Sequence, residues 1–157
     1  MSGKTHHYQI DLKWTGNQGK GTSSYRDYTR DHLISMPGKP EIPGSSDPAF
    51  RGDPNRYNPE DMMVSSLAAC HMLWFLHLCS THKIVVTAYE DQATGVMTES
   101  DDGSGRFTEV TLHPVITLAD PSLQEKADAL HHEANRLCFI ANSVNFPVHH
   151  KASYRHE

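Results

Sequence analysis

Residues 58–81 read NPEDMMVSSLAACHMLWFLHLCST, and this stretch constrains the fold more tightly than any other. Asn58 carries a side-chain oxygen suited to capping a helix, and Pro59 fits the first helical turn, whose N–H needs no partner. Glu60 and Asp61 follow, where the positive end of the helix dipole favours acid. These residues predict a helix running from the Asn58 cap to about Thr81. From Met62 to Cys79 the helix is apolar on nearly every side, so it must be covered by more than one surface. A single small sheet cannot do that, and a substantial oligomeric interface is expected.

Upstream, Met36 to Tyr57 holds Pro37, Pro40, Pro43, Pro48 and Pro54 mixed with Gly38, Gly44 and Gly52, which predicts a long loop over 36–57. Before it, Tyr8, Ile10, Leu12 and Trp14 alternate with polar neighbours as a half-buried strand does. Thr15, Gly16 and Asn17 supply turn chemistry, and a second strand is expected within 22–34. Downstream, 84–97 reads as one strand and 101–105 as a loop. Val110, Leu112, Ile116 and Leu118 share one face of the next strand region, where Pro114 marks an edge or a bulge. Asp120 and Pro121 start a second helix with the stripe Leu123, Ala127, Leu130, Ala134 and Leu137, ending near Cys138. A last strand is expected over 146–154. The order predicts an α+β fold, mostly antiparallel sheet with two helices, as a single domain over 1–157.

The 157 residues suit one core, and the 37% hydrophobic content with all three aromatic types suits a folded chain. Fourteen basic against nineteen acidic side chains give a formal charge of −5, with no basic block, which argues against nucleic acid as a partner. Residues 1–15 lack the apolar core of a secretory signal. The run from Met62 to Cys79 is interrupted by Ser65, Ser66, His71 and His77, so no membrane span is expected of it. Together these point to a cytoplasmic protein.

Three cysteines in such a chain do not form an extracellular disulfide framework. In a reducing compartment a disulfide is more often catalytic or sensing than structural. Cys70 and Cys79 lie nine residues apart on one predicted helix, pointing to opposite sides about 13 Å apart along the axis. A disulfide tolerates Cα atoms no more than about 7 Å apart, so an intrachain redox pair must join Cys138 to Cys70 or to Cys79. Cys70 stands among the small residues Ser65, Ser66, Ala68 and Ala69, which leave room for close approach. Cys79, among Leu76, Leu78 and Ile84, reads as core. A reactive cysteine works as the thiolate. Cys70 is too deep in its helix for the N-terminal dipole to help, and arginine, permanently charged and forked, is the suitable partner.

Twelve histidines raise the possibility of a metal site. Zinc sites use pairs such as Cys-x-x-Cys or His-x-x-x-His, and neither pattern occurs. His6-His7, His131-His132 and His149-His150 are adjacent pairs whose side chains point different ways. A histidine/cysteine metal-binding protein is therefore the weaker alternative, and no cofactor or metal is expected.

The segments Asn58-Pro59-Glu60-Asp61 and Leu67-Ala68-Ala69-Cys70-His71 resemble the OsmC/Ohr family of thiol-dependent hydroperoxide peroxidases. So do Cys138-Phe139-Ile140-Ala141-Asn142-Ser143, the opening Trp14-Thr15-Gly16, and Lys20-Gly21-Thr22. The resemblance covers nearly the whole chain. It implies an intertwined homodimer with the long apolar helix central and active sites at the subunit interface. It implies that Cys70 attacks an organic hydroperoxide and becomes a sulfenate, that Cys138 closes a Cys70–Cys138 disulfide, and that an external thiol or dithiol reduces it, in defence against oxidative stress.

Family members hold the thiolate with an arginine oriented by the glutamate of the Asn-Pro-Glu turn, here Glu60. The first hairpin turn, Gly16-Asn17-Gln18-Gly19, contains no arginine, as the Ohr branch would require. The loop before Asn-Pro-Glu, used in the OsmC-like branch, offers Arg51 and Arg56. Arg51, in Phe50-Arg51-Gly52, is the expected residue, with Arg56, Arg26 and Arg30 as alternatives. Met62, Met63, Met72, Trp74 and Phe139 are candidates to line an apolar approach for the peroxide. A non-catalytic redox-sensing or small-molecule-binding module on the same fold is the principal alternative function.

Overall fold

The structure, a computed structural model, describes residues 3–156. The chain divides after Met62 into two compact units.

The first unit holds one antiparallel sheet of three short strands, β1 (Asp11–Trp14), β2 (His32–Ser35) and β3 (Ile42–Gly44). The alternation from Tyr8 to Trp14 yields a strand only from Asp11, and all four residues of β1 are exposed. Alternation says which side chains share a face, not whether anything covers it. The second expected strand is shortened to β2, because residues 20–27 are taken up by turns. Gly16 is required here: a Cβ on it would lie 1.9 Å from the Thr29 carbonyl oxygen. The proline-rich stretch is not structureless, since it contains β3 and a 3₁₀ turn over Pro48–Phe50.

The long helix α1 (Pro59–Thr81) forms as expected and is unbroken. Asn58 caps it reciprocally: the Asp61 N–H donates to Asn58 Oδ1 at 2.8 Å, and the Asn58 N–H donates to Asp61 Oδ2 at 3.2 Å. At its far end the Ile84 N–H reaches the Cys79 carbonyl and the Lys83 N–H that of Ser80, with Lys83 left-handed at φ 58°. This is a Schellman closure with a non-glycine residue in the glycine position.

The second unit places seven elements around the rest of α1. Strands β4 (Val86–Asp91), β7 (Pro114–Leu118) and β9 (Ser153–Arg155) form one sheet. Strands β5 (Thr94–Glu99), β6 (Gly105–Leu112) and β8 (Val148–His150) form another. The remaining element is α2 (Gln124–Leu137), entered through a 3₁₀ turn over Pro121–Leu123. The strand expected over 84–97 is therefore two strands in different sheets, and the last strand also splits in two. Pairing is antiparallel in β4–β7 and β5–β6 and parallel in β6–β8 and β7–β9; with β1–β2 and β2–β3, four of the six strand pairs among the described residues are antiparallel, in an α+β fold. Pro114 opens β7, a position at which a strand tolerates a missing N–H.

Two apolar clusters hold this unit. Leu67 joins Val110 and Leu112 on the β5–β6–β8 side, while Phe75, Leu78 and Cys79 join Ile84, Ile116, Leu118, Ala127 and Ala134 on the β4–β7–β9 and α2 side. Leu67, His71, Phe75 and Leu78 recur every three or four residues, so one stripe of α1 serves both clusters. By length and composition α1 would suffice to cross a bilayer, its polar interruptions at Ser65, Ser66, His71 and His77 notwithstanding. Its buried stripe packs instead on its own chain. The neighbouring stripe stays open, with Leu73 62% exposed.

Candidate functional site

That open stripe carries Cys70. Ser66, Ala69, Cys70, Leu73, Trp74 and His77 recur at helical spacing along α1 and form one wall of an apolar cleft of about 590 Å³. Phe139 and Ile140, from the segment after α2, form the other. The Trp74 and Phe139 rings meet edge to face, 5.6 Å between centroids, and bridge the two walls. Of the residues expected to line the approach, Trp74 and Phe139 do so. Met62, Met63 and Met72 are not among those lining this cleft. Leu73, His77 and Ile140 are lining residues that the sequence reading missed, although counting three, four and seven positions on from Cys70 and Ser66 would have reached the first two.

Cys138 is fully buried and ends α2 in extended conformation. A short clasp closes around it. The Asn142 N–H donates to the Cys138 carbonyl, the Ser143 N–H to the Ile140 carbonyl, and the Ser143 hydroxyl to the Phe139 carbonyl. Asn142 Nδ2 donates to the Arg136 carbonyl at the end of α2. The Ala141 N–H points at Cys138 Sγ, 3.4 Å away. The Cys138 side chain lies beside that of Cys70. Burial and that contact push the Cys138 thiol up to about 11, the Ala141 N–H acting in the opposite direction. At neutral pH it is therefore a thiol. Of the two pairings that spacing left open, the structure brings together Cys70 and Cys138.

Cys79 is elsewhere. It is buried in the cluster around Phe75 and Ile84, and its thiol is pushed up to about 11 by burial alone. It packs against Ile84 across the Schellman closure, which is a structural task.

The four candidate arginines, Arg26, Arg30, Arg51 and Arg56, lie in the first unit. Arg51 follows the 3₁₀ turn and is left-handed, φ 63°. Its loop is closed tightly: the Arg51 N–H donates to the Pro48 carbonyl, the Gly52 N–H to that of Asp47, and Ser46 Oγ to that of Phe50. Gly52 is required, since a Cβ there would lie 1.5 Å from the Ser46 carbonyl oxygen. The Arg51 guanidinium stands 5.9 Å above the Tyr25 ring. Arg30 lies closer over Tyr25 and Tyr28, 4.2 and 4.1 Å, and donates to both of their carbonyls. Arg56 pairs with Asp53 at 3.6 Å and Asp31 at 3.9 Å. These contacts hold Arg30 locally and tie Arg56 through Nε, while Arg56 Nη1 is buried without a hydrogen-bond partner among the described residues. Glu60 is half-buried in the first turn of α1. Since α1 does not break at Ser65-Ser66, ten residues separate Glu60 from Cys70 by about 15 Å along the axis.

Among the described residues no group of three or more His, Cys, Asp or Glu side chains is arranged to hold a metal ion. The adjacent histidines do point different ways: His131 is buried and His132 exposed.

Residues 52–153 match the family model described as OsmC-like protein. No curated protein matches the chain. An OsmC-like protein of unknown function from Vibrio cholerae is 27% identical, with TM-score 0.84 over 95% of this chain and 100% of that one. An organic hydroperoxide resistance protein from Elizabethkingia anophelis is 20% identical, with TM-score 0.70 over 97% and 100%. One from Legionella pneumophila is 20% identical, with TM-score 0.67 over 96% and 98%. At that identity the last two speak for the fold alone. The family model spans well over half of the chain, and the chain belongs to the OsmC-like family.

Proposed function

We propose that the chain is a thiol peroxidase that reduces organic hydroperoxides, with Cys70 as nucleophile and Cys138 as resolving cysteine. The observation that carries this reading is the contact of a buried, protonated Cys138 with Cys70 at the mouth of an apolar cleft. Two stress-related structures of the same fold, named for organic hydroperoxide resistance, agree with it.

The Cys70 thiolate attacks the distal peroxide oxygen, the O–O bond breaks, and the alkoxide leaves and takes a proton to become the alcohol. Cys70, now the sulfenic acid, has been oxidised by two electrons. Cys138 attacks that sulfur, an S–S bond forms, and water leaves. An external thiol or dithiol reduces the disulfide by exchange. The cleft volume is that of a small-molecule site, and its walls favour a peroxide with an apolar body over hydrogen peroxide.

Arg51 is assigned to hold the Cys70 thiolate and Glu60 to orient the guanidinium. What supports Arg51 is its backbone: a non-glycine residue held left-handed in a tightly bonded loop costs about 1–3 kcal/mol, and such strain collects where a side chain must be aimed. A homodimer acting in the cytoplasm completes the proposal, supported by the open apolar stripe around Leu73 and by Phe139, 66% exposed.

Steady-state reduction of cumene, tert-butyl and hydrogen peroxides tests this. Cys70→Ser should abolish peroxide consumption, Cys138→Ser should allow one oxidation without turnover, and Cys79→Ser should change little. Rapid disulfide formation with negligible turnover on every peroxide would make the protein a redox sensor instead, and loss of activity in Cys79→Ser would reverse the cysteine roles.

A further inference from the structure

The residue after Cys70 is His71, which turns into the core rather than the cleft. It is 1% exposed, and its Nε2 lies 2.9 Å from Nδ1 of His131, which is fully buried on α2. One imidazole donates to the other across that distance. The rings are nearly parallel, at 3°, and His131 is stacked on Phe75 with centroids 4.0 Å apart. The outer nitrogens, His71 Nδ1 and His131 Nε2, are buried without a hydrogen-bond partner among the described residues. Burying two polar rings is costly, and an apolar pair of similar shape would avoid the cost. Something other than packing energy accounts for the pair.

Its location supplies the reason. His71 directly follows the nucleophile on α1, and His131 lies seven residues, about two turns, before Cys138 on α2. We propose that the His71–His131 hydrogen bond is a positioning device for disulfide closure, fixing α1 against α2 in the register at which the Cys70 and Cys138 sulfurs meet. This deepens the peroxidase reading and rests on it. Apolar side chains slide past one another with little directional preference, whereas a hydrogen bond between two stiff rings admits one register. Cys138, confined in its clasp, cannot find Cys70 by wandering.

The bond needs one of the two facing nitrogens unprotonated, and is lost when both rings are charged. His150 from β8 and His132 from α2 face the pair, and Asp128 from α2 and His149 from β8 act on His150. His150 stacks within 5.5 Å of His71 and 5.8 Å of His131. Burial, then these neighbouring rings, disfavour the charged form of both.

The test separates two rates in the full-length protein. After mixing with one equivalent of cumene hydroperoxide, quenched-flow mass spectrometry follows Cys70 sulfenate formation and then the Cys70–Cys138 bridge. His131→Phe keeps the stack on Phe75 and removes the hydrogen bond. It should leave sulfenate formation nearly unchanged and slow bridging by about tenfold or more. His131→Asn, which retains a side-chain hydrogen-bonding group, should recover most of the loss. Should His131→Phe fail to fold, His71→Phe, which likewise removes the hydrogen bond, is measured in its place. Equal slowing of both steps, or unchanged bridging, overturns the proposal. Diamide, which takes two electrons and two protons from a dithiol, drives the same bridge without peroxide. A wild-type chain inert to peroxide but bridged quickly by diamide, and slowly in His131→Phe, would sink the peroxidase reading while sustaining the positioning role.

Discussion

Acidification from pH 7 to pH 5 should remove about 4 kcal/mol of folding stability through two rings, His71 and His131. In the folded chain, burial and His150 hold His71 down to about 4, and burial with His71, His150 and His132 holds His131 down to about 3. A free histidine titrates at about 6.5. Between these values the unfolded chain binds more protons than the folded one. The contribution is therefore complete above about pH 6.5 and is lost as pH falls toward about 4. At pH 5 each ring is charged when unfolded and neutral when folded, which is worth about 2 kcal/mol per ring. His150, also lowered by burial, adds in the same direction, whereas Asp91, raised by burial, opposes it. A loss of this size is a large share of the 5–15 kcal/mol typical of a folded chain. Urea denaturation followed by circular dichroism, at one protein concentration and at half-unit pH steps, gives the slope directly. A His71→Asn, His131→Asn double variant should flatten it. An unchanged urea midpoint between pH 7 and pH 5 in the wild type would refute the account of the pair as buried and neutral.

Lys83→Gly should raise stability by about 1 kcal/mol, read as a melting temperature higher by about 2–4 °C, because glycine adopts the left-handed closure of α1 without the Cβ penalty. No gain would mean that Lys83 makes a compensating contact. Gly52→Ala should destabilise by about 1–3 kcal/mol, since its Cβ would overlap the Ser46 carbonyl and the Arg51 loop must open. Peroxidase activity should fall more than stability does, and parallel losses would remove Arg51 from the reaction. Phe139→Ala should cost about 1 kcal/mol, roughly fivefold, in kcat/KM for cumene hydroperoxide. An equal effect on hydrogen peroxide would show that the aromatic edge does not hold the substrate's apolar body. Iodoacetamide on the native reduced protein should label Cys70 and spare Cys79 and Cys138, both buried with raised pKa values. Rapid labelling of Cys138 would show that its clasp opens freely.

Much of this molecule was legible in its sequence where local chemistry decides. The Asn58 cap, Pro59 and the acids after it located the start of α1, and the helical stripe from Leu123 to Leu137 located α2. The break at Gln92-Ala93 between β4 and β5 was not legible. It carries neither glycine nor proline, and it arises because the two strands pair with different partners far along the chain. The exposed face of β1 was likewise misjudged, since alternation does not reveal what lies opposite. At the site, spacing excluded Cys70–Cys79 but left two pairings; that Cys138 lies beside Cys70 while Cys79 sits in the core is visible only in the fold. The His71–His131 contact joins residues sixty positions apart and had no signature at all.

The strands after α1 do not fill one sheet before the other. β4 enters one sheet and β5 the other, β6 and β7 alternate again, and β8 and β9 repeat the move. Four of the five consecutive pairs of strands are thus divided between two sheets, β5–β6 alone staying within one, and no contiguous length of chain can complete either without passing through the other. Neither sheet can peel away while its companion persists, so residues 63–156 should melt and exchange their amides as one cooperative body.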